Sequence, residues 1–253
     1  MPTYIDTHCH LDLFPGIREH PLTEDIGGIK TITVTNAPYL FTPNQALFAQ
    51  SRNIRVGLGF HPEALGDQRL VAQQRPQLQL FDEHIANARY IGEIGLDGSS
   101  AWKQTWAAQL AVLQHISTQC QQIGGKVITA HSRGAVADVL GYLATPQLRT
   151  QKNKLILHWF SGTPQELQLA VQAGAYFSVN HKMVHTKKGK DLIAAMPQTH
   201  VLTETDAPFT FDTQVRSRKQ SLVATVDALA IIWETSHEQA QKLVWANFQA
   251  LLQ

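Results

Sequence analysis

Asp6-Thr7-His8-Cys9-His10-Leu11-Asp12 directly follows the strand-forming residues Thr3-Tyr4-Ile5, and the rest of the chain is read from this segment. Successive side chains of a strand point to opposite faces, so His8 and His10 share a face, Asp6 lies behind them on it, and Cys9 points the other way. Two imidazoles converging on one point suggest a metal. An H-x-H pair alone is frequently incidental, but here it opens a series. His61, Glu93, His131, His158 and Asp206 each stand at or just past the end of a short apolar run.

Those runs give the fold. The first strand spans Thr3 to His8. The connection Leu13 to Gly28 holds two prolines, Gly16 and the Gly27-Gly28 pair, and predicts a loop rather than a helix. A β-branched run, Ile29 to Thr35, precedes helical periodicity over Phe41 to Ser51. Ile54 to Phe60 ends in G-F-H-P-E, which carries His61. A helix over Leu78 to Ala88 leads to a strand, Arg89 to Ile94, that closes with G-E-I-G-L-D around Glu93. The helix Trp102 to Gln122 is stopped by Gly124-Gly125. Lys126 to Ala130 ends at His131, and Lys154 to Leu157 ends at His158. Thr163-Pro164 has the form of a helix N-cap followed by proline, opening a helix to about Ala173. Tyr176 to Val179 is the seventh strand, followed by a helix near Lys190 to Met196. His200 to Thr203 is the eighth, running into E-T-D-A-P, and helices over Gln220 to Glu234 and Ser236 to Leu252 complete the chain. Eight β runs with mostly helical connections predict an α/β fold, a (β/α)8 barrel, with its chemistry at the C-terminal ends of the strands.

Composition narrows the class. The 253 residues, 43% of them hydrophobic, can bury a large core, and no composition shift or linker divides them, so one domain over residues 1–253 is expected. The apolar runs fall far short of the ~18 to 20 residues that cross a bilayer, and the expectation is a soluble, cytoplasmic protein with no membrane association. Cys9 and Cys120, the only cysteines, support neither a disulfide framework nor a cysteine zinc site. Cys9 is expected in apolar packing. A formal charge of +1 gives no global electrostatic case for nucleic acid, so an anionic substrate must be held by local cations or metal.

D-T-H-C-H-L-D, G-F-H-P-E, I-G-E-I-G-L-D, the His131 segment, H-W-F-S-G and T-E-T-D-A-P, in that order, resemble the TatD-like metal-dependent hydrolases of the amidohydrolase superfamily. The resemblance covers nearly the whole chain and implies a TIM barrel of the metal-dependent hydrolase type. It implies that His8, His10 and Asp206 bind one divalent ion, that His131 and His158 bind a second, and that Glu93 bridges the two. Imidazoles and carboxylates suit two ions of zinc, manganese or magnesium. The chemistry implied is hydrolysis of phosphodiester bonds in DNA, or in RNA, by a metal-activated water, with Asp206 as general base and Glu93 as the second catalytic residue.

The same resemblance places His61 at the substrate; Arg133, two residues after His131, could clamp a phosphate, and Asp97, on the alternating face of Glu93, could meet the substrate. His61 is read against the alternative of bonding its own loop, Arg133 against a structural ion pair, and Asp97 against orienting a metal ligand. Asp6 and Glu204 are expected to accept the second N–H of metal-binding histidines. Lys182, Lys187, Lys188 and Lys190, with Arg216, Arg218 and Lys219, are read either as a positive field at the barrel mouth or as a solvated face. Trp159 and Phe160 offer either a stacking surface or barrel packing, and His20, His84, His115 and His237 belong to the surface.

The chain also departs from the family pattern. The loop after the first strand replaces a helix, Gly98-Ser99-Ser100 stands where an aromatic residue is usual, and the stretch after Asp206 is shortened. These departures resemble the TatD-like component of the bacterial Qat anti-phage defence system, which implies other Qat proteins as partners. Two rival functions stay open: an amidohydrolase opening an amide, lactone or ester, and a defence-complex subunit acting mainly through protein binding. Fold alone does not separate them. A bridging Glu93, where a carboxylated lysine would otherwise serve, favours phosphate.

Overall fold

The computed structural model describes residues 3–253. Eight parallel strands run in chain order: β1 (Tyr4–Cys9), β2 (Ile29–Thr33), β3 (Ile54–Val56), β4 (Tyr90–Gly95), β5 (Val127–His131), β6 (Lys154–His158), β7 (Tyr176–Val179) and β8 (Val201–Thr203). Regular pairing divides them into a sheet β1-β2-β3 and a sheet β4-β5-β6-β7-β8.

Two seams close the ring. Between β3 and β4, Leu58 N–H donates to Tyr90 O (3.0 Å) and Gly92 N–H to Leu58 O (2.9 Å). Between β8 and β1, Asp206 N–H donates to His8 O and His10 N–H to Ala207 O, both at 2.8 Å. The second seam lies at the proposed metal ligands themselves, so closing the barrel also positions His8, His10 and Asp206.

The helices are α1 (Phe41–Leu47), α2 (Gln68–Ala72), α3 (Gln74–Ile85), α4 (Trp106–Ile123), α5 (Val136–Leu143), α6 (Pro146–Thr150), α7 (Pro164–Gln172), α8 (His181–Val184), α9 (Lys187–Ala195), α10 (Arg218–Ile232) and α11 (His237–Leu251). Thr163 and Glu166 form a reciprocal capping box at α7, and Ser236 and Gln239 form another at α11, which fixes where both helices start. The loop expected over Leu13 to Gly28 contains a 3-10 turn at Pro21–Glu24 and no α-helix. Cys9 packs with Leu11, Ile17, Phe48 and Ile54 beneath this loop, on the face away from the histidines.

The third strand is shorter than the predicted Ile54 to Phe60 because the chain is squeezed between β2 and β4. A Cβ at Gly59 would lie 1.9 Å from Thr35 O and 2.5 Å from Glu93 N, so only glycine passes there. Gly95, at φ +136°, runs equally close to the His131 carbonyl. Glu93 is therefore flanked by two positions of near-contact between backbones, which hold its strand against both neighbours.

Candidate metal centre

Glu93 is buried at the C-terminal end of β4, and its two carboxylate oxygens face different sets of histidines. Oε2 lies 3.2 Å from Nε2 of His8 and 3.2 Å from Nε2 of His10. Oε1 lies 3.0 Å from Nε2 of His61, 3.0 Å from Nδ1 of His131 and 2.9 Å from Nε2 of His158. Asp206 joins the first set, with Oδ1 3.6 Å from His10 Nε2 and 4.0 Å from His8 Nε2. The sequence thus brings all six proposed ligands into one cluster, and His61 enters it as well.

The surroundings fix each ring. His8 Nδ1 pairs with Thr129 Oγ1 at 2.8 Å, and its ring stacks on His158 with centroids 3.9 Å apart. His131 Nε2 lies 2.8 Å from Asp97 Oδ2, while the other Asp97 oxygen accepts from Ser99 N–H. Asp97 is fully buried. Its carboxylate oxygens face His131 and the Ser99 N–H, the arrangement expected of a group that orients a metal ligand.

Glu204 stands behind His158, 3.7 Å from Nδ1, and accepts from Trp159 N–H, Asn180 Nδ2 and the Ser178 hydroxyl. Among the described residues Asp6 is bonded to no histidine. It accepts from Thr205 N–H and Oγ1, both at 2.8 Å, and from Arg218 Nε, so it anchors the turn that carries Asp206. Asp206 has φ +49°, a left-handed conformation uncommon for a residue with a side chain, which this anchoring sustains.

Electrostatics follow from burying one carboxylate among five imidazoles. Burial pushes the Glu93 carboxyl up, but His61, His158 and His8 outweigh it and hold it well below the usual carboxylate range. Burial pushes His158 down, and Glu93 with Glu204 more than reverses this, leaving it well above the usual histidine value. His10 and His131 are also raised in spite of burial, His10 by Glu93 and Asp206, His131 by Asp97 and Glu93. His8 is lowered by burial and by the adjacent His158. Burial lifts Asp206 to about 7, against the pull of His158 and His10.

The donor set fits divalent metal on the structure's own terms. Imidazole nitrogens and carboxylate oxygens gather around the two oxygens of one carboxylate, a donor set suited to divalent cations. Five imidazoles converge here on Glu93, with Asp97, Glu204 and Asp206 as the further carboxylates around them. His8, His10 and Glu93 form one group able to ligate an ion, and His61, Glu93 and His131 another.

A cavity of about 700 Å³ opens over the cluster, lined by His10, His61, Glu93, His131, His158 and Asp206 together with Asn36, Arg133, Trp159 and Phe209. Arg133 is exposed on its rim, and among the described residues its guanidinium has no ion-pair or hydrogen-bond partner, which removes the structural ion-pair alternative. His61 bonds its own loop, Nδ1 accepting from Glu63 N–H at 3.0 Å, while Nε2 faces Glu93 and the ring borders the cavity.

The proposed basic field is corrected in part. Arg218 is fully buried and bonded to Asp6, Glu24 and Thr31, so it is structural. Lys219 lies over the Tyr4 ring, 3.8 Å from its centroid. Lys182 is paired with Asp212, and Lys188 Nζ donates to Ser161 O at 2.7 Å. Phe160 is buried against Phe177, while Trp159 borders the cavity. His20 is exposed, and His84, His115 and His237 are partly so.

The sequence reading missed Thr129, Asn36, Thr205 and Phe209. Thr129 had a signal, being a hydroxyl on the same strand face as His131, two residues before it. The other three lie in loops, where no periodicity reveals direction.

Among the described residues no helix is long and apolar enough to cross a membrane. The sequence matches the family described as TatD related DNase over residues 5–253. The Escherichia coli K12 metal-dependent hydrolase YjjV is 29% identical over 218 residues, covering 81% of this chain and 79% of its own. Human deoxyribonuclease TATDN3 is 26% identical over 173 residues, covering 67% and 62%. The crystal structure of the E. coli TatD homolog YjjV superposes with a TM-score of 0.81 at 25% identity, over 98% of this chain and 97% of the other. A match across nearly the entire chain, on a barrel that gathers these ligands at one mouth, places the protein in the TatD-related DNase family of metal-dependent hydrolases.

Proposed function

We propose that this hydrolase is a two-metal phosphodiesterase that cleaves nucleic acid, DNA foremost and RNA as the alternative. The observation that carries this is the division of Glu93, with His8 and His10 at Oε2 and His131 and His158 at Oε1. His8, His10, Asp206 and Glu93 would hold one ion, and His131, His158 and Glu93 the other, from zinc, manganese or magnesium. When bound, such ions acidify a water and polarise a phosphoryl oxygen.

The chain's own groups supply the rest. Asp206, buried in the loop after β8 with Oδ1 3.6 Å from His10 Nε2 and bordering the cavity, is placed to take a proton from the attacking water. Glu93 stays ionised and fixes the spacing of the two ligand sets. The free guanidinium of Arg133 can form two parallel hydrogen bonds to a phosphate on the cavity rim, and His61 borders the same space. Asp97 and Glu204 orient His131 and His158 from behind. Among the described cavity-lining residues there is no lysine for carboxylation, which favours the phosphodiester reading over amide or lactone opening. The human relative's name, deoxyribonuclease, points the same way.

The Qat defence setting rests on the remodelled mouth around Gly98-Ser99-Ser100, and co-purification from the native cell tests it. Asp206→Asn tests the reaction. This variant should fold and keep part of its metal, while losing about 100-fold or more in phosphodiester hydrolysis. Parental activity with metal still bound would remove Asp206 as the base.

A further inference from the structure

Three features of the cavity are unused by the hydrolytic chemistry. Phe209 is 61% exposed and borders the cavity. It meets the His10 ring edge-on, with centroids 5.1 Å apart and planes at 74°, which anchors the ring while leaving much of its surface open to the cavity. Trp159 follows His158 and sits at φ +39°, a conformation disfavoured for a side chain of this size and held by its N–H bond to Glu204 at 3.1 Å. Among the described residues its indole N–H has no hydrogen-bond partner. Asn36 borders the same cavity, and its Oδ1 is buried without a hydrogen-bond partner.

We infer that Phe209, Trp159 and Asn36 form a nucleobase subsite beside the metal centre. Two aromatic side chains border one opening, one from the loop after β8 and one from the end of β6, and a planar heterocycle is the ligand that uses ring faces. An amide with an unsatisfied acceptor suits the exocyclic amino or ring N–H of such a base. Base–aromatic stacking tolerates any base identity, so the subsite would hold a base with little regard to its sequence. This inference rests on the nucleic-acid reading of the site and assigns it a second contact, separate from the phosphate contact.

The test is binding of fluorescently labelled single strands to the metal-loaded protein, using phosphorothioate linkages to slow cleavage. One strand carries thymine throughout, and its counterpart carries abasic sugars. The thymine strand should bind about tenfold tighter. Phe209→Ala, compared with the parent at equal metal content because Phe209 packs on His10, should abolish most of that difference, and Phe209→Tyr should restore it. Equal binding of the two strands by the parent protein, or equal loss on both in Phe209→Ala, overturns the subsite and leaves the phosphodiesterase reading standing. Binding of neither strand overturns both.

Discussion

Asp97 Oδ2 lies 2.8 Å from Nε2 of His131, whose Nδ1 faces Glu93 at 3.0 Å. The imidazole is thus held between two carboxylates, one structural and one in the metal centre. A charged acceptor behind a ligating histidine fixes its tautomer and raises its basicity.

Asp97→Asn keeps the shape but removes that charge, and should weaken metal affinity at the His131 side by about 10 to 100-fold while leaving the fold intact. Metal titration monitored alongside circular dichroism checks this. Unchanged affinity would mean that His131 needs no orienting partner.

Metal uptake should release protons at neutral pH. In the metal-free protein His158, His10 and His131 lie above the usual histidine value, so each keeps its proton to higher pH than in the unfolded chain. Their stabilisation of the metal-free fold is full below the unfolded value of about 6.5 and is lost as pH rises through the folded values. Asp206, raised to about 7, contributes in the same sense: it stays protonated in the fold from the ordinary carboxylate value upward, and its stabilisation fades as pH climbs toward 7. A metal requires these groups unprotonated, so apparent affinity should rise with pH across this window. Calorimetric titration at neutral pH in buffers of different protonation enthalpy should show a buffer-dependent heat. A heat independent of buffer would contradict the proton-loaded cluster.

Arg218 and Asp6 are both fully buried, with Nε 2.8 Å from Oδ2. Arg218→Met would strand the Asp6 charge and loosen Thr205, and should cost about 3 to 5 kcal/mol of stability. Denaturant unfolding of the metal-free protein measures it. A loss below about 1 kcal/mol would place the pair among weakly coupled surface ions.

The barrel was legible because each strand carries its own local signal. Tyr176 to Val179 has the bounds read from sequence, and the Thr163-Pro164 start of α7 is a local capping pattern. The metal cluster was legible because its members stand at the C-terminal ends of β1, β4, β5, β6 and β8, and a closed barrel converges those ends. What escaped depends on contacts between distant segments. Arg218 and Asp6 meet across nearly the whole chain, and nothing near Arg218 distinguishes a buried guanidinium from a basic surface. Lys182 is taken up by Asp212 in the same way. The early end of β3 reflects how closely Thr35 and Glu93 approach Gly59, a tertiary constraint that a run of apolar residues does not reveal.

The central claim is that Glu93 joins two metal positions, and elemental analysis of carefully loaded protein tests it most directly, with the parent and Glu93→Ala measured side by side. The account predicts about two divalent ions per chain in the parent, falling to one or fewer in the variant, because both ligand sets lose their shared oxygen donor. Saturation at a single ion in the parent, unchanged in Glu93→Ala, would contradict it.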